Sequence, residues 1–193
     1  SFAVDSGMIG EASASFAEAA SLSAALEDHL DEGHAWFGAA FVAYRRANLA
    51  ESEEHYHAAI ARFAAVGARQ AQARAMSYLS AVYVAAGRFD EARETATQAQ
   101  EIARACGALA IVTETTSDLA EIARFSGDYA TARTMYEETA RWQGLAGLPS
   151  SEGAAVNLAF VALGEQRYDE ALAALKEVER EFLDREMMGR LAP

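Results

Sequence analysis

Between Ala75 and Ala103 the apolar positions follow the period of an α-helix twice, once on each side of a glycine. In the first segment Ala75, Leu79, Val82, Tyr83 and Ala86 stand at i, i+4, i+7, i+8 and i+11, which gather on one helix face. In the second, which opens at Phe89, the residues Ala92, Ala96, Ala99 and Ala103 again trace a single face. Gly87 between them can close the first helix in the left-handed conformation without a Cβ clash. Small side chains on the second face let two helices approach closely. The pattern predicts a helical hairpin, and one hairpin alone cannot cover its own apolar face.

The same arrangement recurs at a step of about 40 residues. Gly87, Phe89 and Ala92 become Gly127, Tyr129 and Ala132, and then Tyr168 and Ala171 after a slightly shorter step. In the other direction Phe89, Tyr83 and Ala99 become Leu49, Ala43 and Ala59, and Leu49, Tyr56 and Ala59 become Ile9, Phe16 and Ala19. Gly67, Gly107 and Gly147 mark the turns between hairpins. This periodicity predicts an all-α, right-handed superhelical solenoid of about four and a half hairpins forming one domain. Helices are expected at 34–47, 50–65, 70–86, 89–105, 109–125, 129–144, 151–164 and 168–183. The chain then divides into a truncated repeat 1–26, repeats 34–66, 70–106, 109–146 and 151–183, and a linker or further repeat start at 184–193. Ser1–Ser6 reads as the tail of a helix ended at Gly7, with a second helix from Ile9 to Leu26. A first hairpin this incomplete points to a piece of a longer chain. Glu27–Gly33 reads as a solvated acidic connection, with a cation or basic-peptide contact as the alternative, and Asn48, Asp128 and Ser150 or Ser151 read as N-caps.

With these positions in hand, the chain resembles the tetratricopeptide-repeat family, whose pattern is W-x2-L-G-x2-Y, then A-x3-F, then P. Met76-x2-Leu79-Ser80-x2-Tyr83 with Ala92-x3-Ala96, and Trp36-x2-Ala39-Ala40-x2-Ala43 with Ser52-x3-Tyr56, keep the spacing with substitutions. So do Leu119-Ala120 with Ala132-x3-Tyr136, and Leu158-Ala159 with Ala171-x3-Leu175. The period is longer than the usual one, and glycine turns replace the closing proline. The period alone also fits HEAT or armadillo repeats; the large–small–aromatic spacing favours the tetratricopeptide. The resemblance implies a non-enzymatic protein-interaction module whose first helices line a concave groove. The stretch Asn157–Phe182 is similar to repeats that trail kinase or ATPase domains in large bacterial signalling proteins, which implies a regulatory or scaffolding region of such a parent.

Composition narrows the partner. The net charge of −13 disfavours free nucleic acid, which needs clustered Lys and Arg, and favours basic or apolar protein segments. Lys176 is the only lysine in an alanine-rich, arginine-using chain, a usage that fits a bacterial source. Cys106 is the only cysteine, so no internal disulfide forms, which is compatible with a cytoplasmic setting. No apolar run approaches the ~18 residues of a membrane span. No nucleotide-binding glycine motif occurs. His55 and His57 stand at i, i+2 on opposite sides of a helix and cannot share a metal. His29 and His34 read as solvated polar residues, and Cys106 as a small packed one. The sequence therefore suggests no cofactor, no metal and no catalytic set.

Candidate partner-binding residues are those one step off the packing stripe of the first helices. They are Phe37, Phe41 and Tyr44, then Arg74 and Tyr78, then Glu114, Asp118 and Glu121, and finally Asn157 and Phe160. The aromatic residues would supply apolar contacts. Glu114, Asp118 and Glu121, at i, i+4 and i+7, form an acidic stripe that would attract a basic segment or else is simply a solvated face. Asn157 resembles the groove asparagines of peptide-binding tetratricopeptide domains, whose side-chain amide pairs with a peptide backbone; a satisfied surface asparagine is the other reading. An alternative to ligand binding is self-association through open solenoid ends.

Overall fold

In a computed structural model the structure describes residues 2–145 and 152–191. Among these residues there are nine α-helices and no strand: α1 (Phe2–Ala25), α2 (His29–Arg45), α3 (Leu49–Ala65), α4 (Arg69–Ala85), α5 (Phe89–Ala105), α6 (Leu109–Phe125), α7 (Tyr129–Leu145), α8 (Glu152–Gly164) and α9 (Tyr168–Leu191). The helices from α2 to α7 are each 17 residues long. They follow one another through three-residue turns, so consecutive helices reverse direction.

The turns among the described residues share one backbone. The left-handed residue falls at Glu27, Ala47, Gly67, Gly87, Gly107, Gly127 and Gln166, with φ between 56 and 83°. At Gly87 the amide donates to the Val84 carbonyl (3.0 Å) and the next amide, of Arg88, to the Tyr83 carbonyl (2.8 Å). The same pair of bonds recurs at Ala47, where Ala47 donates to Tyr44 (2.8 Å) and Asn48 to Ala43 (3.0 Å). This is the Schellman closure, which satisfies helix-end carbonyls that would otherwise lack donors. The residue after it starts the next helix. Asp28, Asn48 and Asp128 do so with side chains that accept from the amides of Asp31 (3.1 Å), Glu51 (3.5 Å) and Thr131 (3.2 Å). Gly147, Ser150 and Ser151 lie outside the described residues.

Three expectations are corrected. Helix α1 runs without a break through Gly7, α9 continues to Leu191 instead of giving way to a linker, and α2 begins at His29 instead of 34. In α2 the cause is visible. Asp28 caps the helix, and Glu32, read as solvated, is buried at 3% exposure. Gly33 is no breaker: a Cβ there would stand 2.7 Å from the Phe63 ring, so the glycine admits that ring against the helix.

Side-chain packing follows the predicted stripes. Ala92, Ala96, Ala99 and Ala103 are fully buried, as are Ala59 and Ala132. The chain divides into two compact units, Ser1–Asp118 and Leu119–Pro193, with the border inside α6. In the first, Ala59 and Phe63 of α3 pack with Ala75 of α4 beneath Trp36 and Phe37 of α2, and Ala73 and Ala103 pack with Ile111 and Val112. Buried hydroxyls find partners in the same unit: Ser52 Oγ donates to the Ala40 carbonyl (2.9 Å), and Thr116 Oγ1 accepts from Gln100 Nε2 (2.8 Å). In the second unit Ala120, Ala123, Ala132, Tyr136 and Val161 form the core. Arg133 there bridges Glu165 (2.5 Å) and Glu170 (2.9 Å).

Candidate functional site

Four aromatic rings meet in the first unit. Phe37 of α2 lies 5.5 Å from Tyr56 of α3 and 5.2 Å from Tyr78 of α4, both edge-on, and Phe41 is 6.1 Å from Tyr78. Helical spacing places Phe37 and Phe41 one turn apart on α2, and the close packing of α2, α3 and α4 brings the other two rings to them. Phe41 is 39% and Tyr78 38% exposed, so the top of the cluster is open to a partner. Tyr44 is half-buried on the same helix as Phe41. Tyr56 is fully buried, and its hydroxyl has no hydrogen-bond partner among the described residues. Burial, and next the neighbouring Tyr78 and Tyr44 hydroxyls, push its ionisation far above the usual phenol range. The hydroxyl is neutral at any physiological pH.

One acidic group is joined to α4 itself. Asp118 of α6 accepts a 2.5 Å hydrogen bond from Ser77 Oγ of α4, the residue next to Tyr78. Glu114, one turn earlier on α6, is exposed. Arg74 is exposed on α4, one turn before Tyr78. The structure thus brings Phe37, Phe41, Tyr78 and, through Ser77, Asp118 together in one unit.

The remaining predicted residues lie in the second unit. Glu121 is exposed and 3.6 Å from Arg124 Nη2, so this end of the acidic stripe is partly neutralised. The Arg124 guanidinium sits 4.2 Å from the Phe125 ring centre and 5.6 Å from that of Phe160. Phe160 is 46% exposed and Asn157 is half-buried, both on α8. Cation–π stacking of this kind holds Arg124, itself largely buried, against two exposed rings. The sequence reading missed it, although Arg124 and Phe125 are adjacent in the chain, because the Phe160 contact depends on how α6 and α8 pack.

Outside these patches, two histidines of α3 are engaged locally. His55 lies 3.6 Å from Glu51 and against Trp36, and His57 is 3.2 Å from the Tyr83 hydroxyl. Cys106 is exposed, a correction to its reading as a packed residue: it is the C-cap of α5, where the chain turns outward. No group of three or more metal-ligating side chains occurs among the described residues. None of the described helices is long and apolar enough to cross a membrane.

Comparison with known proteins places this geometry in a family. Two sequence profiles of the tetratricopeptide repeat match, one over residues 31–105 and one over 113–138 and 153–177. No curated protein sequence matches the chain. Among solved structures, BtubC (BKLC) from P. vanneervenii superposes with a TM-score of 0.80 at 18% identity, over 98% of this chain and 78% of that one. A Podosopora anserina protein described as a kinesin light chain with nearly identical TPR-like repeats gives 0.75 at 18% identity, over 95% and 91%. A Rap protein complexed with competence and sporulation factor gives 0.71 at 16% identity, over 79% of this chain and 43% of that chain. At such identities the superpositions speak for the fold. The turns, the packing stripes and the matched repeats agree, and the chain belongs to the tetratricopeptide-repeat family, a protein-interaction repeat module built as a helical solenoid.

Proposed function

We propose that the chain is a non-enzymatic interaction module that holds a protein or peptide segment carrying apolar and basic side chains. The observation that carries this reading is the aromatic cluster of Phe37 with the exposed Phe41 and Tyr78, together with Asp118 bonded to Ser77, the residue before Tyr78. Aromatic anchors usually supply most of the energy of such an interface. Glu114, Asp118 and Glu121 would steer a basic segment, an attraction that weakens with salt. In the second unit Phe160 and Asn157 offer an apolar contact and a backbone-pairing amide. Among the neighbouring folds, the Rap protein was solved with a factor bound, which supports a ligand-holding role for this architecture. A regulatory or scaffolding place in a bacterial, cytoplasmic signalling protein rests on the likeness of Asn157–Phe182 to repeats trailing kinase and ATPase domains.

The test is a peptide-array hit measured against the Glu114→Gln, Asp118→Asn, Glu121→Gln variant at two ionic strengths. We expect weaker binding, by about 0.2–1 kcal/mol per acid, and a shallower salt dependence. An unchanged affinity and salt slope would leave the stripe as a solvated face.

A second reading, self-association, is favoured by α9. Leu175 is 37% and Phe182 53% exposed, whereas their repeat counterparts Tyr136 and Phe63 are each 1% exposed. Light scattering over a concentration series separates the two, because a stacking module gains mass and a ligand-holding one stays constant.

A further inference from the structure

At the start of α4 the first unit contains an open pocket of about 390 Å³ that shares Phe37 with the aromatic patch and extends beyond it. Its apolar walls are Phe37 of α2, Phe63 of α3, and Ala68 and Ala71. Phe63 is 1% exposed and forms a fixed floor. The polar lining is His34, Arg69, Gln70 and Arg74, all exposed. His34 stands edge-on to Phe63 at 5.0 Å, which fixes one side of the opening.

The charge of this lining is opposite to that of the molecule. The chain has 29 acidic and 16 basic residues, yet no carboxylate lines the cavity. Arg62, Arg88, Arg133 and Arg167 are each held by a glutamate. The Arg69 and Arg74 side chains make no ion pair or hydrogen bond among the described residues. Two uncommitted guanidiniums at one cavity select for an oxyanion, since the planar fork matches a carboxylate. The aromatic and alanine walls select for an apolar body behind that anion, because a bare inorganic anion would leave them unfilled.

We propose that this cavity binds a small carboxylate with an apolar body, an aryl or short branched alkyl acid. Its ring or chain lies against Phe63 and Phe37, and its carboxylate meets Arg69 and Arg74. The same chemistry is offered by a free organic acid and by the last residue of a peptide ending in an apolar side chain. The site is independent of the acidic stripe, and either can fail without the other.

The experiment is a nitrogen-15 NMR titration of the 193-residue chain with 3-phenylpropionate, N-acetyl-phenylalanine, the amide of each, and inorganic phosphate. The acids are expected to shift the backbone signals of Phe63, Gln70 and Ala71 saturably and to bind at least about tenfold tighter than their amides. The Arg69→Gln, Arg74→Gln double variant is expected to lose that tenfold while keeping its circular dichroism and melting curve, both arginines being exposed. Binding of phenylpropionate alone identifies a free acid as the source; binding of the acetyl amino acid alone identifies a peptide end. Equal shifts from acids and amides, equal shifts from phosphate, an unaffected double variant, or no saturable shift up to about 10 mM acid each overturn the proposal.

Discussion

A carboxylate that is 3% exposed needs partners, and Glu32 has three. Arg62 Nε lies 2.9 Å from its Oε1, Trp36 Nε1 donates to the same oxygen at 3.4 Å, and His29 Nδ1 is 3.4 Å from Oε2. Burial pushes its carboxyl up, but the hydrogen bonds from His29, Trp36 and Arg62, with the Arg62 charge, outweigh it and hold the group below the usual carboxylate range. A carboxyl depressed on folding adds stability above its unfolded pKa and loses it as pH falls through the folded value. Glu32→Gln should therefore cost about 1–2 kcal/mol near pH 7, moderated because Arg62 is half-exposed. Urea unfolding of both chains should show that gap closing below about pH 4; a gap that persists in acid would place the loss elsewhere. Tyr56 presents the reverse case, a buried hydroxyl without a partner among the described residues. Tyr56→Phe removes an unsatisfied group and should raise stability by about 1 kcal/mol, read as a higher urea midpoint. A lower midpoint would reveal a partner for that hydroxyl.

At the scale of the element, the turns decide helix length, and two of them give a paired test. Gly87 has φ +74° with nothing within 4 Å of where its Cβ would stand, and Ala47 occupies the equivalent place with φ 57°. Gly87→Ala should lose about 1 kcal/mol from backbone strain alone, and Ala47→Gly should gain a similar amount. Thermal melts of equal midpoint for both variants would show that the turns carry no such strain. The helices from α3 to α8 begin and end within a residue of the positions the apolar stripes predict, because each stripe is repeated and each error is corrected by its counterparts. Of the three turns that no glycine marks, those at Ala47 and Gln166 were legible from the stripes on either side, whereas the one at Glu27 was drawn out to Gly33. Gly33 misled: its meaning depends on Phe63, thirty positions away, entering the space its missing Cβ leaves. The candidate patch was legible where it follows helical spacing, at Phe37, Phe41 and Tyr78. The cavity was not, because Phe63 and Arg69 meet it only through the packing of α3 against α4.

For the molecule as a whole, acid outnumbers base, and among the described residues Arg62, Arg88, Arg93, Arg124, Arg133, Arg167 and Arg180 pair with carboxylates, so two unpaired guanidiniums lining one pocket are informative where one more unpaired acid is not. The regular turn has a further consequence, for how such a chain changes length in inheritance. Removing residues 68–107 joins Gly67 to Ala108, and Ala108 then starts a helix as Ala68 did, with no new kind of junction. Removing 88–107 instead leaves an odd helix, and α6 must present its face where that of α5 belongs. The forty-residue deletion should keep its helicity per residue and melt cooperatively at a lower temperature. The twenty-residue deletion should lose the cooperative transition. Circular dichroism melts of the two compare them directly, and equal damage in both would contradict the argument. Recombination between copies of this gene would then be tolerated in pairs of helices and purged in singles, so repeat number can drift in one lineage without passing through an unfolded intermediate.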